Sequence, residues 1–227
     1  MDIGIFGATG VIGSRAVAEA TQRGHRVTAF TRDADRFPAE RGSVNWQVAD
    51  WLDADSIAGA ITGLDVVISA VNAGHGIDDT IANADNFVIG AEEMVSALER
   101  HPRTRVISVG GAGSLEIAPG LQLVDTGAAF TRTLTEDLEV PAEYAEVVRA
   151  LCSALNVYRL SNRNWTYLSP SSGRINPGAR TGRFRVGGDQ LLVAGDGGDL
   201  SAEDLAVALL DEVEQPRFIQ RRFTVGY

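Results

Sequence analysis

The chain has 227 residues, 44% of them apolar, and a formal charge of −10 from 20 basic and 30 acidic side chains. That length suits one large domain with a sizeable core, and the acidic balance argues against nucleic acid as a partner, because phosphate backbones are met by a basic face. Every basic residue is Arg, so chemistry that needs a lysine (a Schiff base, a P-loop lysine, a Tyr-x-x-x-Lys dyad) is excluded.

No apolar run approaches the ~20 residues of a membrane span, and the N-terminus lacks the basic stretch and unbroken apolar core of a signal peptide. The lone Cys152 lies in a helix-like stretch as a small core residue and has no partner for an internal disulfide. A reducing cytoplasm is the expected home.

Strand-length apolar runs alternate with longer helical patterns, which predicts an α/β fold with a parallel sheet covered on both faces. In chain order, Asp2–Phe6 reads as a strand, and Val11–Gln22 as a helix with Ile12, Ala16, Val17 and Ala20 on one face. Strands follow at Arg26–Thr31 and Ser43–Val48, then a helix over Asp53–Ile61 and a strand over Asp65–Ala70. A long helix is predicted from about Thr80 to Glu99, a strand at Arg105–Val109, a helix over Ala142–Leu155 and a strand at Trp165–Leu168.

Beyond Pro170 the pattern changes. Ser171–Arg180 reads as loop, and Phe184–Val186 with Gln190–Val193 read as a hairpin around Gly187-Gly188-Asp189. Ser201 caps a helix with Asp204 three residues on, and Arg222–Val225 makes a final strand. No linker separates these elements, so residues 1–227 are read as one domain with 171–227 as its appendage.

The loop Gly7-Ala8-Thr9-Gly10-Val11-Ile12-Gly13 joins the first strand to the first helix. Glycines there let backbone turn sharply and approach a pyrophosphate, and the helix N-terminus offers free N–H groups and a positive dipole end. The third glycine permits close helix–strand packing. Motif and context together predict a dinucleotide site.

NAD sites usually place an acid at the end of the second strand; here that end carries Thr31-Arg32. Arg32 suits a 2′-phosphate through its guanidinium fork, with Arg36 as a second cation, so NADP is favoured and NAD stays open because Asp33 follows. Asp50 ends the third strand, where an acid can accept from an adenine amino group or simply cap the next helix. The small residues Ser69–Gly74 end the fourth strand, where ligands of open α/β sheets bind.

GATGVIG, VTAFTRDADRF, VADWLD, VISVGGAGSL, WTYLSPS, GGDQLLV and RRFTVGY together resemble the atypical short-chain dehydrogenase/reductase superfamily over essentially the whole chain. The nearest branch is similar to the NADH-flavin reductases, the biliverdin reductase B/flavin reductase group and NmrA-type proteins. The resemblance implies a Rossmann domain with a small C-terminal substrate-side region. It implies phosphate contacts at Gly7, Thr9, Gly10, Val11 and Ile12, a 2′-phosphate contact at Arg32, and adenine contacts at Asp50 and Trp51. It puts Ala70 and Val71 against the nicotinamide-side ribose, Ser108 to Gly111 beside the nicotinamide, and Pro170 with Ser171 over it.

One departure is plain. Main short-chain enzymes lower the pKa of a tyrosine with a lysine four residues on; Tyr144 is followed at that distance by Val148, and its neighbours Glu143 and Glu146 are acids. Tyr144, His75 on the loop after the fourth strand, and Ser108 are the candidate catalytic residues. His25 and His101 read as structural, and no cluster has metal-ligand spacing. No Gly-x-Ser-x-Gly elbow offers a hydrolase nucleophile.

The expectation is an NADPH-dependent oxidoreductase passing hydride to a flavin-like or other small planar acceptor, covered by a mobile segment over Gly110–Thr135. A non-catalytic NADP(H) sensor and a redox-neutral isomerase, epimerase or cyclase remain as alternatives on the same scaffold. The expected partner is a small-molecule acceptor, with no nucleic acid or membrane, and the expected state is monomer or homodimer.

Overall fold

A computed structural model describes residues 1–171, 173–192 and 199–227. In chain order these form β1 (Asp2–Phe6), α1 (Val11–Gln22), β2 (Arg26–Thr31), β3 (Asn45–Val48), α2 (Ala54–Ala60), β4 (Val66–Ser69), α3 (Ile77–Ala82), α4 (Asn86–Arg100) and β5 (Arg105–Val109). A short ribbon β6 (Glu116–Ala118) and β7 (Leu121–Gln122) follows, then α5 (Ala128–Arg132), α6 (Ala145–Leu160) and β8 (Trp165–Pro170). The remainder comprises β9 (Ile175–Asn176), β10 (Arg185–Gly187), β11 (Leu200–Ser201), α7 (Ala202–Glu214) and β12 (Arg221–Gly226).

Eight strands build one sheet in the order β10-β12-β8-β5-β4-β1-β2-β3. All neighbours run parallel except β10 and β12. The chain builds outward from β1 through β2 to β3, then crosses over to β4 and continues the other way. Strand direction of growth therefore reverses between β1 and β4, and the crevice beyond their carboxyl ends is where open α/β sheets bind ligands.

Alternation along the buried strands feeds two cores. Ile3, Ile5, Ile68, Ile107 and Phe223 pack under α1 and α7, while Val67, Val106, Trp165 and Tyr167 pack under α4 and α6. Helix starts follow local chemistry: Asp53 accepts the Asp55 and Ser56 N–H groups, and the Ser201 hydroxyl accepts that of Asp204. The Asp204 carboxylate turns away from its own cap. It accepts the N–H groups of Thr181 and Gly182, each at 2.8 Å, and the hydroxyl of Tyr227 at 2.8 Å, which pins the 177–183 loop to α7.

Two buried guanidinium groups tie the sheet to its coverings. Arg105 on β5 donates to the Glu212 carboxylate, the Glu212 carbonyl and the Thr166 hydroxyl, which anchors α7. Arg222 on β12 donates to the Ser114 carbonyl at 2.7 Å, to the Ser114 hydroxyl at 2.8 Å and through Nε to Asp189 at 2.9 Å.

Several expectations change. The hairpin of 184–186 with 190–193 does not form among the described residues: Arg185–Gly187 pairs antiparallel with β12, and Gln190 bridges to Glu116. Val193, its far end, lies outside the described residues. The long helix from Thr80 splits in two, because Asn83 ends α3 by donating its amide to the Asp79 carbonyl and carboxylate. The expected cover Gly110–Thr135 takes the form of short turns, the β6–β7 ribbon and α5, packed around Val124 and Phe130, with Arg222 bonded to Ser114.

Candidate nucleotide-binding site

The crevice between β1 and β4 is a cleft of about 640 Å³. Its floor is the glycine loop, and sterics explain its sequence. Gly7 sits at φ +73°, in the left-handed region, and a Cβ there would lie 2.3 Å from the Ala70 carbonyl oxygen. A Cβ on Gly13 would lie 2.1 Å from the Gly7 carbonyl oxygen, so α1 reaches β1 only because residue 13 has none. The Gly10 N–H closes the turn onto Gly7 O at 2.9 Å, and its carbonyl accepts from Ser14 N at 3.0 Å.

Gly10 caps α1 without a side-chain hydrogen bond, and the first turn holds no acid. The first N–H groups of a helix have no intrahelical acceptor. Here the capping residue offers them no side-chain acceptor, and Thr9, Gly10, Val11 and Ile12 line the cleft. This arrangement fits an anion, and a pyrophosphate in particular. Gly13 lies beneath the cleft and serves the packing. Ala70 and Val71 line the β4 side.

Aromatic rings form the deep end. Phe6 and Phe30 stack at 4.6 Å, and Trp51 lies against Phe87. Gly90 lets the Trp51 indole settle on α4, since a Cβ there would come within 2.0 Å of its ring. Asp50, the expected adenine contact, is not among the lining residues; its carboxylate accepts the Leu52 N–H at 3.0 Å, while Ala49 and Trp51 face the cleft.

Arg32 and Arg36 stand at the rim. Arg32 makes no hydrogen bond or ion pair with the described residues. Asp33, the acid that left NAD open, does not line the cleft, and its carboxylate caps the following turn by accepting Asp35 N at 2.9 Å. The cation is thus free toward the cleft and the acid is engaged elsewhere. Arg36 approaches His75 Nδ1 at 3.2 Å, and the His75 backbone N–H donates to the Asp79 carboxylate at 2.8 Å, so His75 sits on the same rim as the two arginines.

The opposite wall is apolar. Val109, Gly110, Tyr144, Val147, Leu151 and Ile175 line it. Burial pushes the Tyr144 phenol above its ordinary pKa of 10, so it stays neutral and can only donate or accept a hydrogen bond near neutral pH. Val148 turns away from the cleft toward Gly113, where a Cβ would sit 2.1 Å from its Cγ1. The position that holds the lysine in the main short-chain enzymes therefore faces a packed loop in this chain.

Ser108 is not among the lining residues. It lies near the buried Tyr158 phenol; burial pushes that group's pKa up to about 12, and Ser108 lowers it a little. Pro170 ends β8 beside Val225, buried and outside the lining. The structure thus brings Tyr144 and His75 into one cleft and leaves Ser108 beneath it. Tyr167 was not singled out from sequence; its ring lies under Gly110, where a Cβ would meet it at 2.0 Å, and its hydroxyl donates to Leu151 O at 2.9 Å. The signal was present in WTYLSPS, where Tyr167 takes the inward parity of a buried strand. Among the described residues no cluster could hold a metal ion, and no helix is long and apolar enough to cross a membrane.

A family model described as NAD(P)H-binding matches residues 7–216, from the first loop glycine to two residues past α7. The chain belongs to this NAD(P)H-binding family. Similar solved structures span it whole. A Burkholderia pseudomallei protein described as exported is 41% identical over 100% of both chains, with a TM-score of 0.82. A Bacteroides thetaiotaomicron protein named as a candidate epimerase is 34% identical over 100% of this chain and 96% of its own, with a TM-score of 0.80. A Streptococcus pneumoniae protein named as a candidate NADH-flavin reductase is 29% identical over 99% of this chain and 98% of its own, also with a TM-score of 0.80. The fold is the Rossmann type, and the superfamily resemblance carried by GATGVIG holds.

Proposed function

We propose that this chain is an NADPH-dependent oxidoreductase that passes hydride to a small planar acceptor of the flavin type. The carrying observation is the pairing of an uncapped helix N-terminus with an unpartnered Arg32 on one rim, facing an apolar wall across the same cleft. The Streptococcus neighbour's name supports the reductase reading.

The N–H groups of Val11 and Ile12, with the Thr9 side, would hold the pyrophosphate, and Arg32 with Arg36 would hold a 2′-phosphate. A nicotinamide, when bound, supplies two electrons as hydride, and reducing a flavin-like acceptor then needs one proton more. The residues present suit an acceptor that draws this proton from water. Tyr144 is neutral and raised, no lysine lowers it, and Ser108 is turned to Tyr158. The protein's part is then orientation: Gly110, backed by the Tyr167 ring, and Val147 with Leu151 form an apolar wall against which a planar ring would lie. A cytoplasm supplied with NADPH would be its place of work.

The test is NADPH and NADH consumption by purified protein with riboflavin, FMN and a quinone, beside cofactor-binding titrations. Saturable, acceptor-dependent NADPH oxidation that is lost in Gly10→Val is expected. A Cβ at residue 10 meets only Gly7 O, at 3.2 Å, so this variant obstructs the cradle with little disturbance to the packing below. Tight cofactor binding without turnover on any acceptor would instead favour a redox sensor or a redox-neutral enzyme, the latter in line with the Bacteroides neighbour's name.

A further inference from the structure

The cleft is electrically lopsided, and the lopsidedness bears on what can enter its far end. The basic side chains lining it are Arg32, Arg36 and His75, all on the rim next to the glycine loop. The opposite wall presents apolar groups and one neutral phenol.

The segment packed behind that wall is acidic. From 133 to 148 the chain carries Glu136, Asp137, Glu139, Glu143 and Glu146 and no basic residue. Glu143 and Glu146 flank Tyr144 and are exposed. Leu134, between the first acids, is buried in the cluster against which the Tyr144 ring rests, so the acidic turn and the wall form one body. The cations nearby offset it only in part: Arg174 pairs with Glu139 at 2.7 Å, Arg132 and Arg149 stand at the two ends of the segment, and Arg222 is buried on Ser114 and Asp189, so the segment stays net acidic.

We propose that the acceptor end selects neutral planar molecules, an unphosphorylated isoalloxazine or a quinone, and rejects those that carry phosphate. This rests on the reading of the cleft as an acceptor site and narrows its substrate class. An apolar wall pays nothing for an added phosphate, and a phosphate ester brings a charge of about −1.5 to −2 into a field of carboxylates. The rejection is electrostatic and works through solvent, so salt must weaken it.

Riboflavin and FMN share the same ring and differ by the phosphate, which makes them matched probes. Quenching of flavin fluorescence by wild-type protein saturated with NADP+ reads binding without turnover. Riboflavin is expected to bind about ten-fold more tightly than FMN at low ionic strength, and the gap to shrink to about two-fold near 0.5 M salt. The double variant Glu143→Gln, Glu146→Gln is expected to improve FMN several-fold and leave riboflavin unchanged. Equal or tighter FMN binding, a gap indifferent to both salt and the double variant, or no binding of either flavin overturns the inference. The two readings fail separately. If riboflavin is preferred but never reduced by NADPH, the charge selection stands and the hydride reading falls; if FMN binds equally and is reduced, the reverse holds.

Discussion

The glycine loop and the loops around the C-terminal strands are held together by different kinds of force. At the glycine loop, backbone meets backbone: Gly7 against Ala70, Gly13 against Gly7, with no room for even a methyl group. Around the C-terminal strands, side chains bind loops: Arg222 holds Ser114 to Asp189, Asp204 holds the 181–182 turn, and the Ser171 hydroxyl and Leu192 carbonyl bond at 2.9 Å. A site built from backbone approach has almost one solution in sequence. A site built from polar clamps can change its wall while the sheet beneath stays put. The NAD(P)H-binding loop is thus the rigid inheritance of this architecture, and on the proposed function acceptor choice would be its adjustable part.

The sharpest way to break this contrast is Gly13→Val. Forcing a branched side chain between α1 and β1 is expected to cost about 3 kcal/mol or more, read as a drop in Tm, with cofactor binding lost alongside. A variant that melts with the wild type would show that the close approach is soft. Next in size is Arg222→Gln, which leaves buried acceptors on Ser114 short of a donor and is expected to cost about 2 kcal/mol. The contrast requires that its NADPH Kd stay within about two-fold of wild type while the acceptor KM rises.

Arg32→Ala is expected to lower the NADPH/NADH affinity ratio about ten-fold, or about 1.4 kcal/mol, with NADH binding unmoved. An unchanged ratio would remove the NADP preference. Asp204→Asn tests a clamp through pH. Desolvation pushes the Asp204 carboxyl up, but hydrogen bonds from Thr181, Gly182 and Tyr227 outweigh it and leave the pKa below the ordinary value. The folded form is depressed, so its stabilisation is present above the unfolded pKa of about 4 and is lost as pH falls through the folded value. Chemical denaturation should show wild type ahead by about 1 kcal/mol at pH 7, with the difference closing in acid. The smallest effect is Tyr144→Phe: a loss of less than about five-fold in kcat/KM, with no new break in the pH profile between 6 and 9, because the phenol is neutral throughout. A hundred-fold loss would make Tyr144 the proton donor.

The same contrast decides what the sequence discloses. The β1–α1–β2 unit is local: its strand, turn and helix are contiguous, each glycine has a steric reason within a few residues of itself or at the adjoining strand end, and the α1 boundaries read from periodicity match the structure. The C-terminal part is non-local. Arg185–Gly187 pairs with a strand more than thirty residues on, across β11 and α7, so the nearby Gly-Gly-Asp suggests a hairpin that does not form. Arg222 reads as one arginine among several, since its partners lie at 114 and 189. Ser108 sits at the right height in β5, and Asp50 just beyond the end of β3. What sends Ser108 toward Tyr158 and Asp50 onto Leu52 is pleat parity and a local turn, which a motif does not encode. Tyr144 and His75 come within reach of one cleft because loops at strand ends converge there.

Gly90 has an optical consequence. By admitting the Trp51 indole against α4, it fixes one chromophore in the wall of the cleft. The other two, Trp46 beside Phe37 and Trp165 beside Tyr158, do not line it. Indole emission overlaps the absorption of reduced nicotinamide, so Trp51 is a built-in gauge. In a Trp46→Phe, Trp165→Phe background, the remaining glow would dim as the cleft fills with reduced cofactor, and the protein would report its own occupancy without a label.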